Sequence, residues 1–233
     1  MPAPPFLAQR GAYAAARQQV TKKNVSYSFA SGVKPAGMLE DASRADMLPL
    51  VIRGGNRLGE DPANGGSGSS HWYGSAPVAD AMATVLYRAT MIVGNGSSGT
   101  DRGALVWVGG KDAVGDPGIE NCVWFRIRGS GGLACVIGSK QGLLLPGAVT
   151  TRVTGANAIV SPSDTIGLEI SVSGGIYSYQ GLKNGTPIPS ALWTDSTNIF
   201  GTPGKLWGCG GQSTYSGGHF GSLDCYGMSC LDL

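Results

Sequence analysis

Residues 164–189 read D-T-I-G-L-E-I-S-V-S-G-G-I-Y-S-Y-Q-G-L-K-N-G-T-P-I-P, two strand-like runs broken by Gly174-Gly175 and closed by Asn184-Gly185. Ile166, Leu168, Ile170 and Val172 alternate with Gly167, Glu169 and Ser171. A period of two is the pattern of a strand with one apolar and one wet face. Gly-Gly and Asn-Gly supply the positive φ angles that tight hairpin turns require. The stretch therefore predicts antiparallel sheet with short connections.

The same pattern extends outward. Strands are expected at Val25–Phe29, Leu48–Arg53, Ala83–Val93, Ala104–Val108, Cys122–Arg128, Leu133–Ile137, Leu143–Leu145, Val149–Val153, Leu206–Gly208 and Gly221–Leu231. In Cys122–Arg128, Cys122, Trp124, Arg126 and Arg128 share one face, and Val123, Phe125 and Ile127 the other. Met38–Asp46 reads as a polar stretch with a single helical turn, and residues 54–70 as one long Gly/Asn/Ser loop. Short strands with turn signals every eight to twelve residues predict a β-sandwich or jelly roll. Gly accounts for 39 of 233 residues, and charged residues for only 14%. Both figures fit many glycine turns and an exterior partly covered by neighbours in an assembly.

Residues 25–233 show no composition break and are expected to form one sandwich domain. Residues 1–24 stand apart as an arm, helical or extended. The segment 6–20 is alanine-rich and follows Pro2, Pro4 and Pro5. Phe6, Leu7 and Tyr13 give it a thin apolar stripe, and Arg10 and Arg17 add positive charge. One reading is a loose terminus; the other is an assembly arm that orders against a neighbouring subunit.

The net charge of +2 predicts neither nucleic-acid nor membrane-surface binding. No apolar run reaches the roughly 18–20 residues needed to span a bilayer, and the start lacks the order of a signal peptide. Five cysteines at irregular spacing, Cys122, Cys135, Cys209, Cys225 and Cys230, are expected as buried thiols.

Catalytic patterns are sparse. Glutamate occurs only at 40, 60, 120 and 169, never as the close pair that glycoside hydrolysis uses. Glu169 alone on its strand predicts a solvated position. There are two histidines, His71 and His219, no paired metal-ligand spacing and no G-x-S-x-G elbow. The sequence therefore predicts no enzymatic activity and no cofactor; polar loops such as Asp112–Asn121 do offer the oxygen ligands that calcium takes. Trp107, Trp124, Trp193 and Trp207 read as core packing. Trp72 and Tyr73 edge one glycine loop, and Tyr215 and His219 sit in another. These four are the candidate surface or glycan contacts, since exposed rings beside polar groups stack on sugars and also serve as protein hot spots.

The C-terminal segment resembles the concanavalin A-like, laminin-G-type jelly roll, in particular as found in minor tail proteins of phages infecting actinobacteria. The matching positions are Asn184, Gly185, Trp193, Asp195, Trp207 and Asp232-Leu233. The likeness covers residues 164–233 well and about 83–160 loosely. It implies a structural virion protein of a tailed phage, made in the host cytoplasm, acting in assembly and host-surface contact. Its partners would be other virion proteins, copies of itself and host cell-wall polysaccharide. The alternative it leaves open is a carbohydrate-binding receptor-recognition adhesin.

Overall fold

A computed structural model of the chain describes residues 21–40, 49–60, 70–94, 102–112, 119–128, 134–140, 149–213 and 223–233. The segments holding Phe6, Leu7, Arg10, Tyr13 and Arg17, Leu143–Leu145, and Tyr215 and His219 lie outside the described residues.

Two antiparallel sheets stack face to face, as the alternation predicts. The first contains β1 (Asn24–Ser28), β3 (Leu50–Arg53), β4 (Arg57–Glu60), β6 (Tyr87–Val93), β12 (Thr165–Ser173), β13 (Ile176–Lys183), β14 (Thr186–Thr194) and β16 (Cys225–Asp232). Its order is β14-β13-β12-β6-β16-β4-β3, with β1 also paired to β16. The second contains β2 (Leu39–Glu40), β5 (Ser70–Ser75), β7 (Arg102–Asp112), β9 (Val123–Arg128), β10 (Ala134–Lys140), β11 (Val149–Asn157) and β15 (Leu206–Ser213). Its order is β11-β10-β9-β7-β15-β5-β2, with the short β8 (Ile119–Glu120) on β7.

Alternation fills the space between the sheets. Ile166, Leu168 and Ile170 face Val123, Phe125 and Ile127 across a core shared with Ala104, Val106 and Val108, every one at most 1% exposed. Burying each large aliphatic or aromatic side chain contributes about 1.5–3 kcal/mol. The β12–β13 turn places Gly174 and Gly175 at φ +58° and +79°, and the β13–β14 turn places Asn184 and Gly185 at +50° and +75°. Both are the left-handed pairs whose twist matches that of the strands they join.

One buried phenol ties the sheets together. Tyr87, on β6, donates to the Leu206 carbonyl at 2.8 Å, lies 3.2 Å from that of Gly204, and accepts the Gly109 amide at 2.7 Å. All five cysteines are buried and none forms a disulfide, as expected from their spacing. Cys122 and Cys135 flank the paired strands β9 and β10 on opposite faces of the sheet. No helix among the described residues is long and apolar enough to cross a membrane.

Several expectations need correction. The stretch 54–70 is not one loop, because Arg57–Glu60 pairs with β3 and Ser70 opens β5. Leu39–Glu40, expected near a helical turn, is a strand on β5. The strand expected from Ala83 begins at Tyr87, since residues 83 and 84 turn to bind the Asp232 carboxylate. Glu169 is not merely solvated: it pairs across the strands with Arg88.

Candidate functional site

The second sheet has an unusual outer face, turned away from the core. Register sets its rows. One runs Gly138 (β10), Trp124 (β9), Trp107 (β7), Gly208 (β15) and Ser75 (β5). The next runs Val136, Arg126, Leu105, Gly210 and Tyr73 on the same strands. By register, Gly103 and the backbone positions of Arg128, Gln212 and His71 form a third.

Four glycines in these rows yield their space to side chains from neighbouring strands. A Cβ on Gly138 would overlap Trp124 Cζ2. A Cβ on Gly208 would lie 2.6 Å from Trp107 Cζ2, one on Gly210 2.6 Å from Tyr73 Cδ1, and one on Gly103 2.9 Å from Arg126 Cδ. Glycine inside a strand marks such a close approach. The two indoles, the phenol and the arginine stem therefore lie along the sheet rather than standing away from it.

The result is a layered surface. Leu105, Trp107, Cys122 and Leu206 are buried, with half-buried Tyr73, Trp124 and Ala81 packed against them. Arg126 is half-buried, its guanidinium carbon 5.8 Å from the Trp124 ring centroid, a contact of about 0.5–1 kcal/mol at a partly exposed site. From Trp124 to Tyr73 the face crosses three strand spacings of about 4.8 Å, roughly 14 Å.

Two polar atoms on one row have no hydrogen-bond partner: Trp107 Nε1 and Ser75 Oγ. Their residues are 2% and 0% exposed. The indole edge that carries Nε1 reaches over Gly208, the register partner of Ser75. Leaving a buried donor unmet costs about 1–3 kcal/mol, and the core indole Nε1 of Trp72 carries the same cost.

The candidates from sequence divide. Tyr73 stands on the outer face. Trp72 does not, being completely buried between the sheets, and its expected role as an exposed contact is corrected. Alternation along β5 explains the split, because Tyr73 and Ser75 point out and Trp72 points in. Trp107 and Trp124 were expected in the core and lie on the outer face instead. The alternation of Cys122, Trp124 and Arg126 against Val123, Phe125 and Ile127 carried that signal.

The positions behind the family resemblance are architectural. Trp193 stacks on Tyr179 with centroids 5.2 Å apart. Asp195 Oδ1 accepts the Ile199 amide at 3.1 Å, and Trp207 Nε1 donates to the Asp80 carbonyl at 3.2 Å. Asp232 accepts the amides of Lys23, Ala83 and Thr84 and the Thr84 hydroxyl, between 2.8 and 3.2 Å. Burial pushes its pKa up, but these donors, led by the Lys23 amide, outweigh burial and hold it below the ordinary aspartate value. Buried Asp224 pairs with Arg53 and Arg57, and Asp164 with Lys183. Among the described residues no three His, Cys, Asp or Glu side chains gather to hold a metal. Most of the loop considered for calcium, residues 113–118, lies outside them.

No family model matches this sequence, and no curated protein matches it. Solved structures do. The catalytic domain of an endo-1,3-β-glucanase (laminarinase) from Thermotoga petrophila RKU-1 aligns over 91% of this chain and 98% of its own, at TM-score 0.55 and 9% identity. The carbohydrate recognition domain of Emp47p aligns over 89% and 94%, at 0.54 and 10%. The CBM2 module of the evolved Dit of Lactobacillus casei BL23 phage J-1 aligns over 91% and 97%, at 0.50 and 11%. The fold is a concanavalin A-like jelly roll. At such identities the likeness shows fold alone. It also overturns the expectation that the chain is not an enzyme. A glucanase catalytic domain has this same architecture, so scarcity of glutamate in sequence is no ground for excluding catalysis.

Proposed function

We propose that the chain binds carbohydrate on the outer face of the second sheet. The observation that carries this reading is the glycine-floored platform of Tyr73, Trp107, Trp124 and Arg126. Half-buried Tyr73 and Trp124 offer ring surface to the apolar faces of sugars. The names of the three similar structures, a glucanase domain, a carbohydrate recognition domain and a carbohydrate-binding module, support it. Calorimetric titration against a polysaccharide panel tests it. Trp124→Ala and Tyr73→Ala should each weaken binding about tenfold with the fold intact; binding insensitive to both refutes it. Reducing-end release from the bound polymer measures whether binding leads on to cleavage.

Within that reading, the chain serves as a minor tail or particle-surface protein of a tailed phage, recognising a host cell-wall polysaccharide. Two observations favour this: the C-terminal resemblance and the likeness to a phage Dit module. Residues 1–24 are the attachment arm, residues 25–233 the sandwich, and the partners are virion proteins and further copies of the chain. Deleting residues 1–22 should leave a folded protein that no longer enters particles. Normal incorporation of the truncated chain would refute the arm.

A further inference from the structure

We propose that Cys209 and Cys225 form a modification site: a disulfide between them, made when the chain folds in the presence of a small-molecule disulfide such as glutathione disulfide, staples the two sheets together. The inference is independent of carbohydrate binding.

Register brings both thiols into the gap between the sheets. Cys209, on β15, pairs with Val106 of β7, and both face the core. On β16, Met228 and Cys230 face the core as partners of Met91 and Ala89. Strict alternation from those two would turn Cys225 outward. A bulge prevents this, because Cys225 pairs with Val93 and Gly227 with the adjacent Ile92, leaving Tyr226 as the extra residue. Bulges re-aim side chains in this way, and Cys225 is completely buried in the core.

The two strands come close enough to be bridged. Stacked sheets usually lie about 10 Å apart, too far for a disulfide, whose Cα atoms stand at most about 7 Å apart. Here Cα atoms of β15 and β16 come within 8 Å of each other. Cys209 Sγ donates to Met228 Sδ at 3.5 Å, and Cys225 Sγ donates to the Gly227 carbonyl at 3.1 Å. Burial, and after it the adjoining Cys209 thiol, push the Cys225 pKa well up. The other cysteines stand elsewhere. Cys122 packs on the far side of the second sheet, and Cys135 Sγ fills the space at Gly155 of β11. Cys230 is five positions further along β16, roughly 15 Å away at about 3.3 Å per residue.

The chemistry is thiol–disulfide exchange. One protein thiol gives its proton to solvent, and its thiolate attacks a sulfur of glutathione disulfide. That S–S bond breaks, and one glutathione leaves as a thiolate and is protonated. The second protein thiolate then attacks the protein sulfur of the mixed disulfide and expels the other glutathione. Two protein thiols are oxidised with loss of two hydrogens, and one glutathione disulfide is reduced to two thiols. Neither sulfur is exposed in the folded chain, so exchange belongs to the folding chain, before closure buries the thiols and raises their resistance to ionisation. The same enclosure then shields the finished bond from reductants.

Oxidative refolding tests the proposal. The full chain, unfolded in urea and refolded in a glutathione redox buffer, should emerge two hydrogens lighter than the chain refolded in dithiothreitol. Proteolytic mapping should show a Cys209–Cys225 link, with Cys122, Cys135 and Cys230 left for alkylation after denaturation. The linked form should melt roughly 6–12 °C above the reduced one, because the bond closes a loop of about 15 residues in the unfolded chain. Cys209→Ala and Cys225→Ala should each abolish the link and the Tm gap, and Cys230→Ala should keep both. Mapping of the native chain decides the matter even where a variant fails to fold. Five alkylatable thiols after oxidative refolding, a link through Cys122, Cys135 or Cys230 instead, or a linked form that melts no higher than the reduced one overturns the proposal.

Discussion

The Tyr87 hydroxyl accepts the amide hydrogen of Gly109 at 2.7 Å, across the gap between the two sheets. It also donates to the Leu206 carbonyl at 2.8 Å, so one side chain of β6 satisfies backbone groups of both β7 and β15. Burial pushes its pKa well up, with the Gly109 amide opposing, so the phenol stays protonated and keeps its donor. Tyr87→Phe keeps the ring but leaves a buried N–H and a buried C=O unmet. It should destabilise the fold by about 2–4 kcal/mol, read as a lower urea midpoint with unchanged slope.

Neighbours on β5 should give opposite phenotypes. Trp72→Ala removes a fully buried indole from the core and should cost about 3–5 kcal/mol, lowering Tm whether or not ligand is present. Tyr73→Ala, on the outer face, should change stability by far less and weaken glycan binding about tenfold. Thermal melts run beside titrations separate the two. A stable Trp72→Ala protein with a selective binding defect would contradict the placement of these side chains.

Gly138→Ala tests the glycine floor directly. The new methyl would collide with Trp124 Cζ2, forcing the indole off the sheet. Binding should fall as far as in Trp124→Ala, and the double variant should show little further loss, the non-additivity of two changes at one contact. Tryptophan emission should shift to the red in Gly138→Ala alone.

Asp232 predicts an acid-sensitive clasp. Its folded pKa lies below the ordinary aspartate value of about 3.9, so its contribution is complete above that value. The contribution is then lost as pH falls through the folded pKa. Asp232→Asn should be less stable than the parent at pH 7, and the gap should narrow at pH 3. Urea midpoints at the two pH values measure this. A constant gap would mean that the carboxylate charge plays no part.

Turns and core strands were legible because each local signal agreed with the others. Gly174-Gly175 and Asn184-Gly185 both mark true hairpins, and the alternation around Ile166–Ile170 and Val123–Ile127 gives the core face directly. Glycine misled elsewhere. β15 was expected to stop at Gly208, yet it continues to Ser213, because Gly208 and Gly210 are not turns but spaces for Trp107 and Tyr73. A residue with no side chain carries no sign of whether the chain bends there or a neighbour needs the room. β4 was missed for a related reason, as Leu58 is the only apolar side chain in R-L-G-E. The tryptophans of the outer face were assigned to the core because size alone suggests burial. Trp107 is indeed buried, but on the far side of the sheet.

Strand β16 lies near the centre of the first sheet, with β6 on one side and β4 and β1 on the other. On the ribosome, β1, β4 and β6 emerge well before residues 225–232, the strip that joins them, has been synthesised. Until then their edges stay open, so the early half of the chain cannot mature as an independent unit. Sandwich closure is thus a late, all-at-once event, and a nascent chain halted before residue 225 should remain protease-sensitive however long it waits.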